Sequence, residues 1–476
     1  MSSGGAERQH YGLTFSVLAI AGISYALLQS LVAPALPAIQ KDLDTTTTAV
    51  TWVFTSFLLS ASIATPIAGR LGDMFGKERT LLVVLLVLAG GTLVSALANS
   101  ITVLILGRVI QGTGGAIFPL AFGIIRDEFP RERVASGIGF ISALLGVGGG
   151  AGIVLAGPII EHLSYHWLFW LPLIPTTIAI VATHLFVPES PLKPGGRVSW
   201  LGAGLLSAWL VALLLGASEG PTAGWASAEV IGLFVAAAIL FVVWIVVESR
   251  APEPLVDMNM MRLRGVWTTN LAATLLGFGM YGSFITIPQF VETPASAGYG
   301  FHASVSQAGL FLVPSTIGML AVSPFAGRIA HGVGSRVALM AGALLTMVCF
   351  VLLAAAHSMR WEIYLASIFL GAGIGLAFAA LANLIVEAVP PEQTGVATGM
   401  NTIMRTIGGA IGGQVAASII AATAVAGGLP KESGFTIAFA IAAGALFVSF
   451  LSALAVPRRP RVQVPVAEPV SARSGA

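Results

Sequence analysis

The feature that most restricts this chain is a succession of fourteen apolar runs joined by short connections, each long enough to cross a bilayer. Approximate centres are Ile23, Leu59, Leu88, Thr113, Val147, Ile178, Trp209, Ala238, Leu276, Thr316, Met347, Gly373, Ala410 and Ala445. A spanning helix needs about 20 such residues, because it rises ~1.5 Å per residue across ~30 Å of hydrocarbon. Charged residues make up only 9% of the 476 positions, against roughly 25% in soluble domains. The polar start, Met1 to Tyr11, leads into a run too long and too lightly flanked for a cleaved signal peptide, which is read as a retained first helix. The expectation is an all-α integral membrane protein.

The charges exclude several classes and orient the rest. A formal net charge of +2 is too small for a nucleic-acid binder, so no nucleic-acid partner is expected. The single cysteine, Cys349, lies in an apolar run, which rules out an internal disulfide framework and a thiolate metal cluster. No phosphate-cradling glycine loop is present, so direct drive by ATP is not expected. With the N-terminus inside, cytoplasmic segments hold 18 of the 23 Lys and Arg residues, and the outer loops hold three: Lys41, Arg360 and Lys431. Arg108 and Arg405 fall inside spans. Both termini are therefore placed in the cytoplasm. Arginine outnumbers lysine nineteen to four, which together with abundant Ala and Gly points to a bacterium with a GC-rich genome, and so to its cytoplasmic (inner) membrane.

A charged, glycine-bearing turn occurs twice. Thr65-Pro66-Ile67-Ala68-Gly69-Arg70 reappears 258 positions later as Ser323-Pro324-Phe325-Ala326-Gly327-Arg328, and Gly334 matches Gly76. Internal repeats of this kind are the usual build of a secondary transporter. The copies follow spans 2 and 10, an offset of eight where two six-helix bundles give six, so two helices are inserted between the bundles. The resulting organisation is a tail over 1–12, a first bundle over 13–187, a linker over 188–198, inserted helices over 199–248, a second linker over 249–264, a second bundle over 265–456 and a tail over 457–476.

Three signatures resemble the major facilitator superfamily, specifically its fourteen-span drug/proton antiporter branch. The turn is similar to the family's G-x-L-a-D-r-x-G-r-k loop, with Gly69, Asp73, Gly76 and Lys77 on the pattern. Leu104 to Ala116 matches the span-4 pattern l-x-x-x-R-x-x-q-G-x-g-a-a through Arg108, Gln111 and Gly112. The glycine-rich span 5, with Gly146, Gly148, Gly149, Gly150, Gly152, Gly157 and Pro158, resembles the antiporter signature of exporters. Two departures stand out: Ile153 follows Gly152 where the signature has proline, and neither Leu28 nor Gln29 is the acidic residue that the branch tends to place in span 1.

The resemblance implies two six-helix bundles plus two additional helices, no cofactor, and a lipid bilayer, a small-molecule substrate and protons as partners, with the monomer as the working unit. It makes Asp73 a brace of the inner gate against the N-terminus of a second-bundle helix, with Arg70, Lys77 and Asp127 completing the cluster. In the second copy His331 replaces the acid. It makes Arg108 a gatekeeper of coupling or substrate entry; the alternative is a buried tie to backbone carbonyls. Arg405 falls near the midplane beside Gly408, Gly409, Gly412 and Gly413, with Asn401, Asn383 and Gln111 as candidate neighbours. The polar and aromatic groups Tyr25, Gln29, Asn270, Tyr281, Phe284 and Gln289, with Asn383 and Asn401, are candidates for the substrate cavity. All 21 acidic residues fall in loops or near span ends, so a titrating group is sought at a cavity mouth, Asp73 or Asp127 before Glu161, Glu387, His162, His166 or His184.

Function is then expected to be export of amphipathic drug-like compounds or a secondary metabolite by alternating access in exchange for protons. A carrier of a lipid or other metabolite, coupled or not, stays open. An integral-membrane enzyme needs a convergent His/Asp or Ser/His set at one face, and the sequence offers none.

Overall fold

The structure is a computed structural model and describes residues 11–45, 47–189, 199–423 and 429–457. Most of both tails and of the first linker lies outside the described residues. In the hydrocarbon a backbone must pair with itself, and the chain answers with helices throughout. The first half comprises α1 (Tyr11–Ser30), the short α2 (Leu36–Asp42), α3 (Thr47–Phe75), α4 (Lys77–Ala96), α5 (Ile101–Gln111), α6 (Ile117–Glu128), α7 (Arg131–His162) and α8 (Trp167–Phe186). A hairpin follows, α9 (Trp200–Ala223) and α10 (Ala228–Arg250), then the short α11 (Met258–Arg262). The second half comprises α12 (Arg264–Glu292), α13 (Val305–Gly332), α14 (Ser335–Ala355), α15 (Arg360–Ala388), α16 (Thr394–Ala422) and α17 (Glu432–Ala455).

Among the described residues thirteen helices are long and apolar enough to cross a membrane, counting α5 and α6 as one path over Ile101–Glu128. α13, whose apolar stretch Ser306–Val322 is shorter, stands where the tenth expected span falls. Span 4 is not one straight helix: Gly112–Ala116 form a 3-10 turn between α5 and α6. Its glycines let neighbouring helices come close: a Cβ on Gly112 would lie 2.5 Å from Ser60 Cβ and one on Gly114 2.7 Å from the Tyr25 ring.

The two halves are built alike. α1 packs on α7 and α8 as α12 packs on α16 and α17, while α4 packs on α5 and α8 as α14 packs on α15 and α17. Across the halves, α3 meets α16 and α13 meets α7, the exchange expected of two related units facing each other. Even the close approaches recur. A Cβ on Gly91 would fall 2.9 Å from Gly107 O, and one on Gly342 2.7 Å from Gly373 O. The duplicated turn is duplicated in backbone too. Gly76 (φ 112°) precedes α4 and Gly334 (φ 97°) precedes α14, both in the left-handed region that favours glycine. The side chains of Ser323, Pro324, Ala326, Gly327 and His331, the second copy's counterpart of the acid, lie outside the described ones.

The inserted hairpin does not stand apart. α9 packs against both α3 and α16, and Leu206, Leu210 and Trp244 share an apolar cluster with Val396, Met400 and Ile403. It therefore leans on the seam between the halves. Both described chain ends lie on the face that carries the charged turn. Tyr11 packs against Phe129 just beyond α6, and Arg264 donates to Ala455 O over 3.1 Å.

Candidate functional site

Two regions combine polar chemistry with burial: the seal at the charged face, and the cleft between the halves.

The seal is centred on Asp73 in the last turn of α3. Its carboxylate, 1% exposed, accepts hydrogen bonds from Gly395 N and Val396 N, both at 3.2 Å, at the start of α16. The first N–H groups of a helix have no partner within it and carry the positive end of its dipole, so they favour an anion. Lys77 Nζ lies 2.6 Å from Asp127 Oδ2 and 4.0 Å from Asp73 Oδ1. Its stem is admitted by Gly123, where a Cβ would come within 2.6 Å. Gly69 lets the helices touch: a Cβ there would lie 2.7 Å from Gly395 O, and one on Gly395 2.6 Å from Gly69 O. Gly76 is pressed by the Glu189 carboxylate, which also pairs with Arg79 at 3.1 Å. Arg70 is half-buried, within electrostatic reach of both Asp73 and Glu248.

Two contributors to this region were missed from sequence. Arg126, there only an orienting charge, donates to Val389 O at 2.9 Å, to Pro390 O at 3.3 Å and to Thr394 Oγ1 at 2.5 Å, gathering the α15–α16 connection. Its position directly before Asp127 was the one available hint. Glu248 of α10 is 2% exposed and accepts from Val256 N at 2.9 Å, tying the end of the inserted hairpin.

Span 5 presents two glycine faces. Side chains on Gly146, Gly150 and Gly157 would run into Met319, Thr316 and Ser306 of α13, while side chains on Gly148 and Gly152 would run into Ala26 and Ser30 of α1. Gly149 faces open space, and Pro158, inside α7, is exposed. Glu161, at the far end of α7, accepts a hydrogen bond from Ser306.

The cleft consists of two narrow volumes of about 20 and 10 Å³, which share Phe118, Leu145, Thr402 and Arg405 and draw their walls from both halves. Tyr25, Gln29 and Tyr281 line the first, with Gln29 Nε2 donating to Tyr281 Oη at 3.1 Å. Asn401 lines the second and donates to Asn270 Oδ1 at 2.9 Å, which leaves Asn270 behind the wall. Three further candidates lie off these walls. Gln289 is exposed and lines neither volume. Phe284 packs edge-on to Tyr281, outside both volumes. Asn383 reaches across the halves to Ala135 O at 3.1 Å and so braces α15 against α7. Phe118, Leu145, Phe378 and Thr402 were not singled out from sequence, because nothing local separates them from other apolar or hydroxyl residues in spans.

The two intramembrane arginines differ. Arg108 is fully buried, and its Nη2 has no hydrogen-bond partner. It donates to Val53 O at 2.9 Å, Leu28 O at 3.0 Å and Gln111 Oε1 at 2.7 Å, and its guanidinium lies 4.0 Å from the Phe57 ring centroid. It ties α5 to α1 and α3, and neither Arg108 nor Gln111 lines the cleft. Arg108→Ala should therefore destabilise the fold, since each orphaned buried acceptor costs about 1–3 kcal/mol. Arg108→Lys, with no planar fork, should recover only part of the loss. Thermal unfolding in detergent checks this; a wild-type midpoint for the alanine variant would refute it. Arg405, by contrast, lines both volumes. An arginine at a helix centre costs about 2.5–3.5 kcal/mol on insertion scales, and here Phe378, 4.4 Å from the guanidinium, offsets part of it.

Comparison with known proteins agrees with this architecture. The family model described as Major Facilitator Superfamily matches residues 18–197, 191–413 and 272–474, so each half matches it separately. An uncharacterized MFS-type transporter of Mycobacterium tuberculosis is 30% identical over 396 residues, 81% of this chain and 56% of that protein. The multidrug transporter protein MdtP of Bacillus subtilis is 29% identical over 394 residues, 81% of this chain and 71% of that protein. The chain thus spans little more than half the length of the mycobacterial relative. Among solved structures, the human organic anion transporter MFSD10 (TETRAN) shares the fold with a TM-score of 0.67 at 18% identity, covering 94% of this chain and 99% of that one. The paired halves, the seal between α3 and α16 and the matches over both halves lead to one assignment: this chain belongs to the major facilitator superfamily.

Proposed function

We propose that the chain is a secondary transporter that exports amphipathic drug-like compounds or a secondary metabolite by alternating access, in exchange for protons. In this reading it sits in a bacterial cytoplasmic membrane with both termini in the cytoplasm and works as a monomer. The observation that carries it is the cleft walled by both halves and closed at one end by the Asp73 contact with α16. Helices from opposite halves meet there through a carboxylate and two glycines, contacts that can separate without breaking either bundle. Aromatic walls and few charges suit bulky amphiphiles. The multidrug transporter among the relatives supports the same cargo class.

Among the described residues no carboxylate lines either cleft volume, so the coupling proton is assigned to the seal. Protonating Asp73 removes the charge that faces the α16 N-terminus and leaves one of its oxygens a donor, which loosens the latch. Asp127 holds Lys77 beside it and sets how strongly that charge is compensated. Purified protein in proteoliposomes, loaded with a panel of fluorescent dyes under an imposed pH gradient, tests both parts. Gradient-driven dye movement is expected. Movement indifferent to the gradient would eliminate proton exchange, and no movement of any dye would eliminate the export reading.

A further inference from the structure

We propose that the cleft is an oxyanion receptor: its preferred cargo is an aromatic or amphipathic organic anion whose carboxylate or phenolate is held by Arg405 and the Tyr281 hydroxyl. The inference rests on the transporter reading above and narrows its substrate class. Arg405 lies eleven residues into α16, ~17 Å along its axis and so deep in the membrane. It is 8% exposed, lines both cleft volumes, and its Nε is buried without a hydrogen-bond partner. Among the described residues no aspartate or glutamate lines either volume, so the cation has no fixed counter-charge from them there.

The remaining polar groups point the same way. The hydroxyls of Ser62, Thr65, Thr402 and Thr406 all donate to carbonyls four residues back on their own helices. That leaves them no proton for a ligand. Tyr281 Oη, however, accepts from Gln29, which leaves its own proton free to donate. The cleft therefore offers a guanidinium and a phenol O–H for a negative group, with the rings of Tyr25, Phe118 and Phe378 for an apolar body. A forked guanidinium matches two oxygens at once, which selects carboxylates and similar oxyanions over cations.

The test uses the full-length protein and two dyes of comparable size, anionic carboxyfluorescein and cationic rhodamine 123. Binding is read by fluorescence polarisation and movement in proteoliposomes. The wild type is expected to bind carboxyfluorescein more tightly than rhodamine 123. Arg405→Gln should weaken the anion at least tenfold and leave the cation unchanged or tighter, with Arg405→Lys in between. Tyr281→Phe, which keeps the ring and removes the donor, should weaken the anion severalfold, and it decides the matter if Arg405→Gln does not fold. Equal or tighter binding of the cation by the wild type overturns the inference, as does anion affinity unchanged in both folded variants. Wild type that moves rhodamine 123 but neither binds nor moves carboxyfluorescein refutes the anion site and leaves export standing. Anion binding lost in the variants with no dye moved refutes export and leaves the receptor standing.

Discussion

Asp73→Asn should open the charged face. The substitution is nearly isosteric, but it removes the charge aimed at the α16 N-terminus and one of the two acceptor oxygens that Gly395 N and Val396 N use. Hydrogen bonds to charged groups contribute about 1.5–3 kcal/mol and a charge at a helix N-terminus about 0.3–1 kcal/mol more. A loss of ~2–3 kcal/mol from the closed arrangement shifts the open-to-closed ratio about 30- to 150-fold. The chain makes the measurement convenient, since its single cysteine, Cys349, is fully buried. A cysteine at Ser142, on the cleft wall, would then report access from the charged face through its rate of labelling by a membrane-impermeant maleimide. The rate should rise in Asp73→Asn. An unchanged rate would mean the contact is not a latch.

Gly69→Val and Gly395→Val should each abolish export while the protein stays folded. What a side chain meets at either position is backbone of the opposite half, 2.6–2.7 Å away, and backbone cannot rotate aside. Helices α3 and α16 must then part at the seal, and the closed state is lost. The loss in dye efflux should exceed tenfold, with monodisperse protein and a thermal midpoint near that of the wild type, because each bundle keeps its own core. The double variant should be scarcely worse than either single one, since both remove the same contact and their effects cannot add. Efflux restored to wild-type rate in either variant would show that close approach at the seal is not needed. Full additivity would show that the two glycines serve different purposes.

Residues at turns were legible because turn chemistry is local. Gly76 and Gly334 matched in sequence, and both adopt the left-handed conformation that few other residues tolerate. That Asp73 meets a helix N-terminus was legible through the resemblance, though not that the residues there are Gly395 and Val396. Arg126 was legible only as a positive charge on one side, since what it holds, the carbonyls of Val389 and Pro390, lies more than 260 residues away. The cleft was the least legible part. Tyr25, Gln29, Tyr281, Asn401 and Arg405 were singled out for polarity and do line it; Gln289, equally polar, does not.

By itself the sequence determined the order of the apolar segments, the face on which charge collects and the repeat. All of these depend on composition along the chain, and the bilayer reads composition directly through the cost of burying charge. Only the tertiary structure decided which face of each helix looks at lipid, at its own bundle or at the cleft. In water a polar face marks the outside of a helix, whereas lipid is as apolar as a protein interior and leaves no such mark. That is why Arg108 and Arg405, alike as intramembrane arginines on paper, divide into a tie between α1, α3 and α5 and an unpaired cation in the cleft.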